Sequence, residues 1–387
     1  MDYGTSEQRR LLQESARNML QDQIGALVED CEQRYHPLPR DMAVDLFKRL
    51  KPLGYINSTI PSADGGEGLD YVSYGVLLEE LARCWPSLAL MVIVQEGQAH
   101  FLAERGTEEQ KKKYLPSLLS GDIVACLGVT EPNVGSNLRE MQMRATQEGS
   151  GHKLNGTKLW ITNGTICDIC LVLAYTEKGL GTKGMSLFLV DTHESPFIKT
   201  DIHKLGLRCS STAELVFNDC YVPIDNRIGV EGEGYKLVTN LLSLARCCTA
   251  VVEVGIAQAA IDRSVHYARE RTQFGKPIGR FQLIQELIAD MVVDTEAARL
   301  LTYKALRLVG RASSYALESS TAKYYACEAA GRTTARAIEV HGAYGISVDS
   351  PTERLYRDAR TLFPPDGPMS IQKLFIGAET LGMSAFV

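Results

Sequence analysis

Tryptophan is scarce in this chain, with two residues among 387, and aromatic residues of all kinds make up 7%. No long basic block offsets the formal net charge of −6, so no nucleic-acid partner is expected. Repeats and low-complexity tracts are absent. The opening "MDYGTSEQRRLLQES" has no basic stretch followed by an apolar run and a small-residue cleavage site. It reads instead as a capped helix, with Thr5 and Gln8 at capping-box spacing. The longest apolar runs, such as "LALMVIV" from Leu88, fall well short of the roughly 20 residues that cross a bilayer. A soluble protein of the cytoplasm or an organelle matrix is expected, with no membrane insertion.

Cysteine is plentiful, at ten residues, but irregularly spaced and set in apolar contexts such as "DIVACLG" and "LARCCTAVV". A chain of this length has no need of a disulfide framework. Cys167 and Cys170, in "CDIC", have the spacing of a redox or zinc half-site. However, "ICDICLVLAY" reads as a strand, where positions i and i+3 point to opposite faces. No second Cys/His pair lies at a suitable spacing, so no metal is expected and the thiols are read as free and buried. The 45% of hydrophobic residues suffices for a large core in two or three domains.

The pattern changes twice along the chain. Residues 1–120 show helical periodicity, as at Leu12, Ala16, Met19, Leu20, Ile24, Leu27 and Val28, interrupted by the loop "STIPSADGGEGLDYVS". Residues 121–233 hold short runs, "KLWIT", "ICLVLAYT", "MSLFLVDT" and "AELVFNDCYV", broken by Gly, Asn and Asp as in an antiparallel β domain. Residues 234–387 return to long helices. The class is therefore α+β: an N-terminal helical domain, a middle antiparallel β domain and a C-terminal helical bundle. "GLGTKG" matches G-x-G-x-x-G, but "MSLFLV" after it is a strand rather than a helix, so a hairpin loop is expected and a nicotinamide-type nucleotide fold is unsupported.

Three stretches have chemical content, each with an ordinary alternative. "LGVTEPNVGSN" offers backbone N–H groups and small hydroxyls to something planar or phosphorylated, or is simply a loop leading out of a strand. "LNGTKLWITNG" places a Trp beside a Thr at a strand end, suited to an aromatic ligand or to the core. "ARERTQFGKPIGRFQLIQ" sets Arg, Gln and Phe in a Gly/Pro loop between long helices, suited to a diphosphate with an attached ring or to plain solvation.

In this order and spacing, the three resemble the acyl-CoA dehydrogenase flavoprotein family over essentially the whole chain. That family has a T-E-P-x-x-G-S-D signature, a W-I-T segment and an R-x-x-F-G-x-P-[IL] loop; "GVEGEGYK" and "YRDAR" fit as well. The resemblance implies FAD. Val129 and Thr130 would face the flavin ring, with Leu127 among the cofactor-binding positions, and Trp160 and Thr162 would cover it. Arg271, Gln273, Phe274 and Gln282 would reach FAD held by a neighbouring subunit of a homotetramer, a pair of dimers. Ser136 and Arg246 would line the substrate site. The implied reaction is α,β-dehydrogenation of an acyl thioester, with electrons passed to an electron-transfer flavoprotein or similar acceptor.

The chain departs from the family at the base. Most members carry a Glu in a Y-E-G-T segment; counting from "YRDAR" places Asp366 there, followed by Gly367 at a substrate-binding position. The alternative base position, before the Arg of the cavity helix, is Ala245, which has no acid. Asp366 is the expected base, although Pro-Asp-Gly is also a common turn and Asp a good helix cap. Pro368 and Ser370 replace FAD-holding Thr and Gln, Asn137 replaces the signature Asp, and Glu339, near Gly342, adds an anion where the family has Gln. A flavin oxidase or monooxygenase, a 1,4-type dehydrogenase, an acyl-carrier-protein-bound substrate and a degenerate non-catalytic subunit remain alternatives.

Overall fold

A computed structural model describes residues 7–312 and 314–384; Thr5, and with it the expected cap, lies outside them. The N-terminal region consists of α1 (Glu7–Leu20), α2 (Ala26–Arg34), α3 (Arg40–Leu50), α4 (Tyr71–Cys84), α5 (Pro86–Arg105) and α6 (Glu108–Ser120). Local chemistry sets these limits. The Asp70 carboxylate accepts from the backbone N–H groups of Val72 and Ser73 at the start of α4. Thr107 and Gln110 close a capping box on α6. Pro86 takes the first turn of α5, where it has no N–H to lose.

The middle region contains β1 (Ala125–Gly128), β2 (Arg144–Glu148), β3 (Gly151–Thr162), β4 (Ile169–Tyr175), β5 (Met185–Asp191), β6 (Ile198–Asp201), β7 (Thr212–Pro223) and β8 (Arg227–Ile228). The strand order is β6-β7-β3-β2-β4-β5-β8, with β1 added on β4. Most pairs are antiparallel as expected, but β1 runs parallel to β4. The β2–β3 hairpin lies between them in sequence and supplies the length that a parallel return requires. "GLGTKG" falls in a 3₁₀ connection between the antiparallel strands β4 and β5, a hairpin loop as read.

The C-terminal region comprises α7 (Gly234–Glu270), a small hairpin of β9 (Thr272–Gln273) and β10 (Lys276–Pro277), α8 (Gln282–Leu308), α9 (Ala316–His341), α10 (Pro351–Thr361) and α11 (Met369–Leu381). By length and composition α7 could cross a membrane, with a mean hydropathy of 1.5 over its most apolar window. It packs instead against α4, α8 and α9 as the central helix of the bundle. Where α4 meets α7, a Cβ on Gly255 would lie 2.7 Å from the Ala82 Cβ, so glycine permits the close approach. Although the β region separates them in sequence, the first and last helical regions share one core that runs from Trp85 and Met91 through Cys247 and Val251 to Ala326 and Ala330.

The thiols are free and buried as expected, apart from a half-buried Cys84. The "CDIC" pair is not placed as expected. Cys167 lies in the turn before β4 rather than in the strand, so the two-face rule does not apply, and both thiols interact with Cys126. Among the described residues no group of three His, Cys, Asp or Glu is placed to hold a metal.

Candidate functional site

The two tryptophans have opposite fates. Trp85 is core, with its indole N–H donated to Glu32 at 2.7 Å. Trp160 is 56% exposed at φ +64°, in an irregularity where the β3–β7 register shifts between Lys158 and Ile161. Such a bulge turns a side chain out of the strand's ordinary alternation. Beside it, the Leu159 N–H donates to the Thr130 carbonyl at 2.8 Å, so "VTE" and "WIT" form one surface.

That surface is held from below by an ion pair not anticipated from sequence. Lys158 is fully buried, and its ammonium donates to the Val129 carbonyl and to Glu131 Oε1, each at 3.0 Å. Glu131 also accepts from the backbone N–H groups of Gln142 and Met143. Burial pushes the Lys158 pKa down to about 8, with Glu131 opposing. The register shifts on either side of Lys158 in β3, which simple alternation does not foretell, turn it inward.

The second assembly surrounds Asp366, in the turn between α10 and α11. Asp366 has φ +55° and Gly367 φ +98°, the left-handed region that Asp tolerates and Gly favours. The Thr249 hydroxyl on α7 donates to Asp366 Oδ2 at 2.8 Å. Arg246 Nε donates to the Asp366 carbonyl at 3.0 Å, and the Gln372 amide reaches that carbonyl at 3.1 Å and the Gly367 carbonyl at 2.9 Å. Lys323, 0% exposed on α9, donates to the carbonyls of Pro365, Gly367 (2.6 Å) and Phe363 (3.5 Å). Burial lowers the pKa of both Lys323 and Arg246, with the Asp366 charge opposing. Ala245 is half-buried and contributes no acid.

Thr249, Lys323 and Gln372 were missed in the sequence. Thr249 sits three residues after Arg246, on the same helix face. Lys323 is a lone cation in "STAKYYACEAA", among small residues that pack closely. Arg246, read as a cavity residue, grips the backbone of the acidic turn, with its guanidinium 5.2 Å from the centre of the Phe375 ring.

The third group lies on the outside of the C-terminal helices. Arg271, Gln273 and Phe274 occupy the β9–β10 hairpin, whose Phe274–Gly275 turn has positive φ at both residues. Phe274 is 92% exposed, and Gln282 is exposed at the start of α8. Glu339 and Gly342 are exposed at the end of α9, next to the stack of Tyr267 on His341 (4.4 Å between ring centres). No hydrogen bond among the described residues ties the side chains of Arg271, Gln273 or Phe274 to β1 or β3. Ser136 is exposed beyond β1; Leu127, Thr130, Thr162 and Pro368 are half-buried, Val129 is buried and Ser370 is exposed.

A helical, sheet and helical arrangement, with Trp160 exposed beside the Thr130 loop and a clamped acidic turn, defines a three-region α+β protein. Family profiles for the acyl-CoA dehydrogenase N-terminal, middle and C-terminal domains match residues 6–122, 126–220 and 232–381. The chain belongs to the acyl-CoA dehydrogenase family. It is 37% identical to the glutaryl-CoA dehydrogenase of Desulfococcus multivorans, over 99% of both chains. It is 33% identical to a subunit of the caffeyl-CoA reductase–Etf complex of Acetobacterium woodii, over 97% of this chain and 99% of that one. A glutaryl-CoA dehydrogenase of Mycobacterium smegmatis, solved in complex with FADH2, superposes with a TM-score of 0.91 at 29% identity, covering 99% of this chain and 97% of that one.

Proposed function

We propose that this chain carries out α,β-dehydrogenation of an acyl thioester, with Asp366 as the base that removes the α-proton. Family membership makes it an oxidoreductase acting on a CH–CH pair. The observation that carries the assignment is the clamp on Asp366: three side chains from α7, α9 and α11 hold its turn by the backbone, and a fourth holds one carboxylate oxygen. Among the described residues no hydrogen bond reaches Oδ1, which leaves that oxygen to take the proton. A turn needed only for chain reversal requires no such convergence.

The residues at the β1–β3 surface fit a flavin. Trp160 offers an uncovered aromatic face, Thr130 and Thr162 offer hydroxyls, and the Lys158–Glu131 pair fixes the loop beneath. Leu127, Val129, Thr130, Trp160 and Thr162 would hold FAD by its ring. Arg271, Gln273, Phe274 and Gln282, with Glu339 and Gly342 at the end of α9, would serve FAD at a subunit interface, as would Pro368 and Ser370 beside the Asp366 turn. When bound, FAD supplies the hydride acceptor. Ser136, Arg246 and Gly367 border the space for the thioester. Exposed apolar side chains on α8, Leu283, Val293 and Leu300, together with Val348 in the turn before α10, support a homotetramer. An electron-transfer flavoprotein is the proposed electron acceptor.

The test is anaerobic flavin bleaching by acyl-CoA thioesters, in wild type and Asp366→Asn. The variant should keep its flavin and bleach about 10²–10⁴-fold more slowly. Undiminished bleaching in Asp366→Asn would overturn the assignment, and sustained oxygen consumption without an added acceptor would favour an oxidase.

A further inference from the structure

Helix α5 carries a buried acid for which the dehydrogenation has no use. Glu96 is 2% exposed, and its Oε1 accepts from the Thr59 backbone N–H at 2.7 Å and the Thr59 hydroxyl at 2.8 Å. Its Oε2 has no partner. The Thr59 hydroxyl oxygen lies 3.2 Å from His100 Nδ1, and His100 Nε2 lies 3.1 Å from the Tyr71 hydroxyl. Proton counting gives the directions. Thr59 spends its one hydroxyl proton on Glu96, so it accepts from Nδ1–H. In the neutral imidazole that ring proton on Nδ1 leaves Nε2 as the acceptor, so Tyr71 donates to it, and burial of His100 disfavours the charged ring. The phenol oxygen of Tyr71 then has lone pairs and no proton left. The free end of the chain is an acceptor.

Its surroundings lead back to the base. Most of α5 is buried, but Val94, Gly97 and His100 are partly exposed, and a Cβ on Gly97 would meet nothing within 4 Å. Space is therefore open at Gly97, one turn before His100. Tyr71 and Tyr315 pack against the core that holds Cys247 and Cys248, and α4 and α5 both pack against α7. Cys248 adjoins Thr249, which holds Asp366. The polar chain and the base thus flank the same segment of α7.

We propose that the substrate is a thioester whose acyl group carries a hydrogen-bond donor, a hydroxyl or an amine, at its far end, received by Tyr71 at the open end of the Glu96–Thr59–His100 chain. The proposal rests on the dehydrogenase reading above. An alkyl tail would leave the acceptor unpaired. A carboxylate tail would bring acceptor to acceptor near a buried acid, so substrate choice here differs from that in the relatives named for glutaryl-CoA.

Four five-carbon esters that differ only at the far end test it: valeryl-, 5-hydroxyvaleryl-, 5-aminovaleryl- and glutaryl-CoA, each by kcat/KM for flavin reduction. In wild type, the hydroxyl or the amine ester should exceed valeryl-CoA about tenfold or more, mainly through KM, and glutaryl-CoA should be the poorest. The two donor esters separate a hydroxyl from an amine ligand. In Tyr71→Phe, and in Thr59→Val, which cuts the chain at its middle, the donor-to-valeryl ratio should fall toward one. Valeryl- or glutaryl-CoA as the best wild-type substrate, or a ratio unmoved in both variants, overturns the proposal while leaving the dehydrogenase reading standing. If none of the esters bleaches the flavin, the dehydrogenase reading fails. The dissociation constants of the four unreacted esters from the holoenzyme then decide the subsite by the same ranking.

Discussion

Replacing Lys323 with Met separates positioning of the acid from its chemistry. The side chain keeps nearly its length and loses its charge, in a site with no solvent exposure. The carbonyls of Phe363, Pro365 and Gly367 all lose their shared donor. Charge-assisted bonds of this kind contribute about 1.5–3 kcal/mol each, and removing the cost of burying the ammonium offsets part of the loss. A net destabilisation of about 2–3 kcal/mol follows. The functional effect should be larger than that figure suggests, because the lost bonds bracket Asp366 on both sides. With φ +55° at Asp366, the turn sits in a region the backbone leaves when released. A displacement of the carboxylate by about 1 Å costs on the order of 10²-fold in rate. We expect Lys323→Met to bleach about 10–100-fold more slowly in anaerobic stopped flow, with full flavin content and little change in KM. Lys323→Arg, which keeps the charge in a planar fork, should regain stability but little rate. A Lys323→Met enzyme that melts earlier yet bleaches at the wild-type rate would refute the reasoning, since the clamp would then support the fold without placing the acid.

Two further predictions concern buried charges. Lys158→Met leaves Glu131 buried without its cation, a loss of about 3–5 kcal/mol, and should lower flavin bound per chain in gel-filtered protein; adding Glu131→Gln should recover part of it, and a flavin content equal to wild type in Lys158→Met refutes the loop's dependence on the pair. Burial pushes both Glu96 and Asp358 up to about 7. Acids raised on folding contribute stability that is complete below their ordinary pKa and is lost as pH rises through the raised value. For Glu96 this amounts to about 3 kcal/mol between roughly pH 4.5 and 7. Denaturant melts across that window should therefore show a flatter pH dependence in Glu96→Gln and in Asp358→Asn, while curves parallel to wild type would refute the shifts.

The sequence made the succession of helical, sheet and helical regions legible, because long 3.6-residue periodicity and short alternating runs differ over tens of residues. The parallel placement of β1 on β4 was not legible, since both orientations share the same apolar run. For the site, the motifs pointed to Trp160, Thr162 and Asp366, but the residues that orient them were hidden for two reasons. Lys158 and Lys323 are cations, and a cation in a sequence is ordinarily read as a solvated face; only the fold shows them at 0% exposure. The chain from Glu96 to Tyr71 joins α5, the loop before α4 and the first turn of α4, so no spacing within one segment announces it.

An aspartate at position 366 is consistent with the turn it occupies. At φ +55° a short side chain able to bond nearby groups is favoured over a longer one. The prolines at 364, 365 and 368 were the obvious candidates for holding this turn still. However, the atoms that fix it are donors from three other helices acting on its carbonyls, which act on the path of the backbone itself. With Oδ2 tied to Thr249 and one methylene fewer than glutamate, Asp366 has little freedom to reach, and its carboxylate lies about 1.5 Å short of where a glutamate's would. The α-carbon of the substrate must then be brought to the acid. An acyl group gripped at its far end is one way to do that, because a second fixed point removes the freedom that a longer base would otherwise absorb. On this account the shorter acid and the polar chain beside α5 are a single adaptation. Asp366→Glu would then be a poor repair: the longer side chain would enter a space already set by the two fixed ends, and the donor-bearing ester should suffer more from the change than valeryl-CoA.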